Sequence, residues 1–329
     1  MEEIRVIIYG VGGIGSSIVK ALNNKTGVKI VGAVDPFKVG KDAGTVAGIN
    51  PIGIKIVNDP MELINNNVKA DVAIDVGSPV NAKATFERMQ WAIENHMNVL
   101  VACAETSNMW YTDPETAKEI DEMCKEYNVT YFGIGALQVL ERLIITLTEG
   151  STDIERIETT HHADTTAFSA ESKAAEYGIT LTKEQYEQGC ANGTVKDKEE
   201  LKDTIPYICG YLGWKIDNVT LDKNVLINDE GIIYGFNGTV RGYENGVCKI
   251  AMTDEMMDDP KHEYFDHIYI KGTPMVDCTI HYTPDRGFVS TIAPLVNGIP
   301  RIINMPAGYV NTLSIPACNI IMDDYRKHV

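Results

Sequence analysis

Residues 4–15 read Ile-Arg-Val-Ile-Ile-Tyr-Gly-Val-Gly-Gly-Ile-Gly, an apolar β-branched run that passes straight into a glycine-rich turn. Ile4–Tyr9 predicts a buried strand, and Ile18, Val19 and Leu22 repeat at helical spacing across Ser16–Asn23. Gly10, Gly12 and Gly15 satisfy G-x-G-x-x-G, a weak signal by itself. Here it joins a strand to a helix, and Asp35 follows at the end of a second apolar run, Val28–Val34. That context makes it the fingerprint of a dinucleotide-binding unit. The first glycine permits the tight turn, the second lets backbone approach a pyrophosphate, and the third allows close helix–strand packing. Gly13 and Ile14 complete the turn, whose N–H groups open the helix toward the phosphates. Asp35 is expected to accept the ribose hydroxyls and to repel a 2′-phosphate, which favours NAD. Lys38 and Lys41 stand close enough in sequence to leave NADP use open. The plainer role for Asp35 is a turn acid at a strand end.

Outward from this turn, strands and helices alternate. A short strand is expected at Ile54–Val57, then a helix from Met61 with Asp59 and Pro60 as its start signals. Asp71–Val76, Asn98–Ala102 and Val129–Gly133 read as further strands, separated by helices over Ala82–His96 and Pro114–Tyr127, the latter capped by Asp113. This alternation predicts an α/β, Rossmann-type doubly wound parallel sheet for a dinucleotide-binding domain, residues 1–150. After Gly150 the pattern changes. Ile154–His162, Asn218–Leu226, Ile232–Arg241, Val247–Met252, His267–Ile270 and Met275–His281 are strand-like, and Lys183–Ala191 and Lys198–Leu212 are helical. Glu244-Asn245-Gly246 marks an antiparallel turn. Residues 151–291 are therefore expected to form an α+β substrate and dimerisation domain with a mixed or antiparallel sheet. The Pro-containing tail, 292–329, is expected to return to the first domain.

Composition narrows the class of function. The 329 residues carry a formal net charge of −17, which argues against nucleic-acid or anionic-membrane partners, since both require a basic footprint. No apolar run approaches the roughly 20 residues that span a bilayer. Met1 leads through Glu2 and Glu3 directly into a strand, without space for a signal peptide, so a cytoplasmic protein is expected. The seven cysteines are scattered, with no C-x-x-C and no Cys/His cluster at zinc spacing, which reads as reduced thiols and no metal.

Reactive groups in doubly wound sheets lie beyond the carboxyl ends of the strands. Gly77-Ser78-Pro79 follows one strand end and is placed to pass under a nicotinamide ribose, or to serve as an ordinary strand-to-helix connection. Cys103-Ala104-Glu105 follows the next. Glu105 is expected to act as a general base, with Ala104 beside it at the cofactor, and Cys103 as packing. The competing assignment makes Cys103 a nucleophile, as in acylating aldehyde dehydrogenases. His161 and His162 end the first strand of the second domain and are candidates to line a substrate cleft, or simply polar groups satisfied at a strand end. Gly135, Arg142 and Arg301 join them as substrate-binding candidates, the arginines because guanidinium binds carboxylate bidentately; ordinary surface or interface arginines are the plainer reading.

These residues and several further segments bring a family into view. The chain resembles the 2,4-diaminopentanoate dehydrogenases and the wider group of NAD(P)-dependent amine dehydrogenases with a dihydrodipicolinate-reductase-like N-terminal domain. The likeness covers nearly the whole chain and is carried by residues 4–15, by Asn98–Thr106, by Gly133-Ile134-Gly135, and more specifically by Leu212–Asp217, Ile270–Pro274 and Ile299–Leu313. It implies reversible oxidative deamination of a small amino-substituted acid, with Glu105 in the place of the family's glutamate; the strand-rich second domain separately offers a sheet through which a homodimer is expected to form. Ala136-Leu137-Gln138 replaces the family's usual Asn-Pro-Gly, and Thr106 stands where a second acid is common, so the identity of the substrate is where this chain departs. Two other functions fit the residues alone: oxidation of an aldehyde, semialdehyde or cyclic imine, and a cofactor-binding sensor without turnover.

Overall fold

The computed structural model describes residues 2–77, 81–166, 168–197, 201–259, 261, 263–282 and 289–329. In chain order its first half runs β1 (Ile4–Tyr9), α1 (Gly13–Leu22), β2 (Val28–Val34), α2 (Ala43–Val46), α3 (Pro60–Asn65) and β3 (Val72–Asp75). There follow α4 (Ala82–Glu94), β4 (Asn98–Val101), α5 (Met109–Thr112), α6 (Pro114–Glu126), β5 (Thr130–Gly133) and α7 (Ala136–Thr148). The second half holds β6 (Asp153–Asp164), α8 (Ala170–Tyr177), α9 (Lys183–Asn192), α10 (Leu201–Leu212) and β7 (Asn218–Ile227). It continues with β8 (Ile233–Glu244), β9 (Val247–Met257), β10 (Phe265–Thr273), β11 (Val276–His281), α11 (Val289–Ile303) and β12 (Gly308–Val310).

Two compact units divide the chain, one of residues 1–139 with 290–329 and one of residues 140–289. The first is a six-stranded sheet in the order β12-β5-β4-β3-β1-β2, with every pairing parallel. This is the doubly wound α/β fold read from the sequence. Its core is built from side chains such as Ile7, Val34, Phe86, Met89, Ile93, Val99 and Tyr131. Helices α3, α4 and α6 start where short polar side chains satisfy free N–H groups. Asp59 and Glu62 form a capping box around Pro60, Asn81 caps α4, and Asp113 accepts from Thr116 N at the start of α6. Residues 54–57 do not form the expected strand. Val57 bonds to Ala33 and Asp35 while Ile56 bonds to Gly40 and Lys41, so the segment divides its hydrogen bonds between two partners and no ladder propagates.

The second unit is a mixed sheet in the order β11-β10-β6-β9-β8-β7, in which β6 and β9 are parallel and the other neighbours antiparallel. Asn245 and Gly246, at φ 50° and 78°, make the two-residue turn between β8 and β9. Among the described residues no helix is long and apolar enough to cross a membrane.

Candidate active site

Strand order in the first sheet reverses between β1 and β3, and a crevice opens at their carboxyl ends in such a topology. The loops that leave these two strands touch there. Gly10 has φ +90°, and a Cβ on it would lie 2.7 Å from Gly77 Cα, so glycine is required on both steric and conformational grounds. Gly15 meets the same loop from the helix side, where a Cβ would stand 1.9 Å from Gly10 O. Gly12 differs from both: among the described residues nothing beyond its chain neighbours lies within 4 Å of its Cβ position. As the N-cap of α1 it brings no side chain to the free N–H groups. Gly13 and Ile14 form the first positions of that helix. Open space above a bare helix N-terminus fits a pyrophosphate.

Asp35 is buried at the end of β2, with 6% exposure. Its carboxylate accepts from Val11 N at 2.9 Å and from Phe37 N at 2.9 Å, while Lys38 Nζ donates to Val11 O. Asp35 therefore ties the glycine turn to β2 as well as standing where the ribose is expected. Gly77 N donates to Asp75 Oδ1 at 2.9 Å. Asp75 is fully buried and paired with Arg88 at 2.6 Å. Burial pushes the Asp75 carboxyl above its ordinary range, opposed by the charge and hydrogen bond of Arg88. Sequence reading passed over Arg88, which reaches from α4 to within 5.6 Å of the Tyr9 ring centroid. Ser78 and Pro79 lie outside the described residues.

Glu105 occupies a single 3-10 turn, Ala104–Thr106, directly after β4. Ala102 N bonds to Asp75 O, which joins the end of β4 to that of β3. Glu105 is half-buried, and the Cys103 thiol donates to its Oε2 at 2.9 Å. The turn rests on Gly133, where a Cβ would fall 2.5 Å from Thr106 Oγ1. It is also tied to the tail strand. Tyr309 OH accepts from Met109 N at 2.9 Å and donates to Thr106 O at 2.8 Å. Gly135 follows β5, with a Cβ position 3.3 Å from Gln138 Oε1. Arg301 lies on α11 of this unit, and its Nε is buried without a hydrogen-bond partner among the described residues.

His161, His162 and Arg142 belong to the second unit. Successive strand residues face opposite sides of a sheet, and the histidine pair is divided accordingly. His161 Nδ1 lies 2.5 Å from Asp266 Oδ1, and Asp266 accepts from Tyr282 OH at 2.8 Å. His162 turns the other way, pairs with Glu255 and stacks on Phe265 with ring centroids 4.3 Å apart. On the His161 face one register row runs Asp266, His161, Asp254, Gly238, Lys223 across five strands. Asp254 Oδ1 is buried and has no hydrogen-bond partner among the described residues. Burial raises its carboxyl above the usual range, against the pull of His161 and Lys223. Lys223 itself donates to Asp197 at 2.6 Å. Asp254, Asp266, Tyr282 and Lys223 carried no motif; only the strand register brings them together. Arg142 sits half-buried on α7. Among the described residues no group of His, Cys, Asp and Glu is arranged to hold a metal ion.

Comparison with known proteins agrees with this architecture. Residues 138–329 match the model of the 2,4-diaminopentanoate dehydrogenase C-terminal domain, and residues 4–132 match the N-terminal domain of dihydrodipicolinate reductase. The chain is 28% identical to a 2,4-diaminopentanoate dehydrogenase of Acetoanaerobium sticklandii, over 99% of this chain and 97% of that one. It is 26% identical to a 4-hydroxy-tetrahydrodipicolinate reductase of Rhodopseudomonas palustris, over 55% of this chain and 68% of the relative. Among solved structures it is similar in fold to an amine dehydrogenase from Mycobacterium smegmatis, with TM-score 0.83, 22% identity and 98% of both chains covered.

Proposed function

Because the chain belongs to the family defined by the 2,4-diaminopentanoate dehydrogenase C-terminal domain, we propose that it catalyses the reversible, NAD(P)-dependent oxidative deamination of a small amino-substituted acid such as 2,4-diaminopentanoate. The observation that carries this reading is the place of Glu105: a half-buried carboxylate at the carboxyl edge of the sheet, in the turn after the strand beside the one whose loop touches the glycine turn. The residues present fit a dinucleotide. Gly12 and the N-terminus of α1 would hold the pyrophosphate, Asp35 the adenosine ribose, and Gly77 the segment nearest the nicotinamide. The bound nicotinamide supplies the hydride acceptor.

Everything else in the reaction is proton and water chemistry. Loss of hydride from an amine-bearing carbon leaves a cationic iminium, which an adjacent carboxylate stabilises. Glu105 then takes a proton from water as it adds to that carbon and returns it to the nitrogen; as the C–N bond breaks it takes the hydroxyl proton, so that ketone and ammonia form. In the opposite direction the same group serves the amination of a ketone. Asp35 favours NAD, and the placement of Lys38 at Val11 leaves a cation beside the ribose site for NADP. A homodimer is part of this proposal, and sedimentation velocity checks it.

Glu105→Gln tests the central residue. The expected result is cofactor affinity within about twofold of wild type with turnover reduced by about 10²-fold or more, the usual scale for a general base. Undiminished turnover would remove Glu105 from the mechanism.

A further inference from the structure

The Glu105 carboxylate has a neighbour that the reaction scheme leaves without a role. Cys103 sits two positions before it, ends the extended run of β4 at φ −69°, ψ 118°, and is 8% exposed. Its thiol donates to Glu105 Oε2 at 2.9 Å, and its own carbonyl is anchored by Thr106 N at 3.0 Å and Thr106 Oγ1 at 2.6 Å. Thr106 is fully buried against Gly133 and held by Tyr309. The sulfur is thus a donor on a rigid mount. With Glu105 ionised, a thiolate at Cys103 would bring two negative charges 2.9 Å apart, which opposes the use of this sulfur as a nucleophile.

We propose that Cys103 is the positioning residue of Glu105: its S–H fixes the orientation of the carboxylate and favours the ionised, proton-accepting form. The proposal rests on Glu105 being the acid/base of the reaction. A hydrogen bond to the charged form stabilises that form, and a thiol is a weaker donor than a hydroxyl. Sulfur therefore holds the carboxylate in place while leaving it more basic than a hydroxyl would.

The test is the pH profile of kcat/KM for Cys103→Ala and Cys103→Ser, with Cys103→Val as a second donor-free variant should the alanine protein misfold. Removing the donor is expected to move the acid limb upward by about half to one pH unit, the scale of one hydrogen bond to a charged group in a partly wet site. Serine is expected to restore the limb to the wild-type position or below it. A profile unchanged in the donor-free variants overturns the proposal, as does a serine variant that shifts upward with alanine. A serine variant that binds NADH normally but has no turnover also overturns it, in favour of sulfur chemistry. Glu105→Gln separates this from the larger reading: if that variant keeps its turnover, the role of Glu105 itself fails. If it is inactive while the Cys103 variants titrate like wild type, only the role of Cys103 fails.

Discussion

The hydroxyl of Tyr309 donates to the carbonyl of Thr106 over 2.8 Å and joins positions 203 residues apart. The same oxygen accepts from Met109 N, so both sides of the loop that follows Glu105 hang from one side chain of the tail strand β12. β12 in turn pairs with β5, the strand that carries Gly133 beneath the Glu105 turn. The last part of the chain is thereby built into the support of the candidate catalytic residue.

Tyr309→Phe keeps the ring and its packing but leaves a buried N–H and a buried carbonyl without their partner. Each such loss costs about 1–3 kcal/mol. The variant is expected to melt several degrees lower and to lose kcat more than cofactor affinity, measured by thermal melting and steady-state kinetics. Equal kcat with a lowered melting point would mean that the contact stabilises the fold alone.

The three fingerprint glycines differ in their surroundings, and alanine is expected to separate their roles. At Gly12 the added methyl meets no described atom within 4 Å beyond its chain neighbours, so Gly12→Ala should melt like wild type without cofactor, yet bind NADH at least about tenfold more weakly, or about 1.4 kcal/mol. At Gly15 the methyl would be driven into Gly10 O, and Gly15→Ala should lose about 1–3 kcal/mol or more of stability. Differential scanning fluorimetry with and without NADH reads both. Equal destabilisation by the two variants would contradict the separate roles.

Asp254 carries a pH signature. Its folded-state carboxyl is raised above the ordinary 3.8, chiefly by burial. A raised carboxyl is neutral in both states below the unfolded value and opposes folding once pH climbs past it. Asp254→Asn should therefore raise the melting point at pH 7, with the gain shrinking as pH falls toward 4. A lower melting point for the variant at pH 7 would show that the charge has a partner stabilising it.

The parts legible in the sequence are those fixed by local pattern. β1 and β2 end at the residues where their apolar runs end, and Gly10 and Gly15 stand at close backbone contacts between strand and helix, as their spacing led one to expect. Asp59-Pro60 and Asp113-Pro114 announced their helices by capping chemistry. Local pattern failed where partners are distant. Residues 54–57 have strand composition but divided hydrogen bonding, and the division depends on a loop that folds back from Asp35. His161 and His162 look like one feature in sequence and belong to two faces of a sheet. Tyr309 lay within a segment singled out for its family likeness, but nothing local ties it to Thr106. Asp254 reaches His161 only through the pairing of β6 with β9.

The central claim is best tested by incubating the purified protein with 2,4-diaminopentanoate and NAD⁺ at alkaline pH, following NADH at 340 nm and assaying released ammonia in the same samples. Oxidative deamination predicts NADH and ammonia in equal amounts, and reversal when ammonia and the keto product are supplied with NADH. NADH formed without ammonia, or no NADH from this or any related amino-substituted acid, would contradict it.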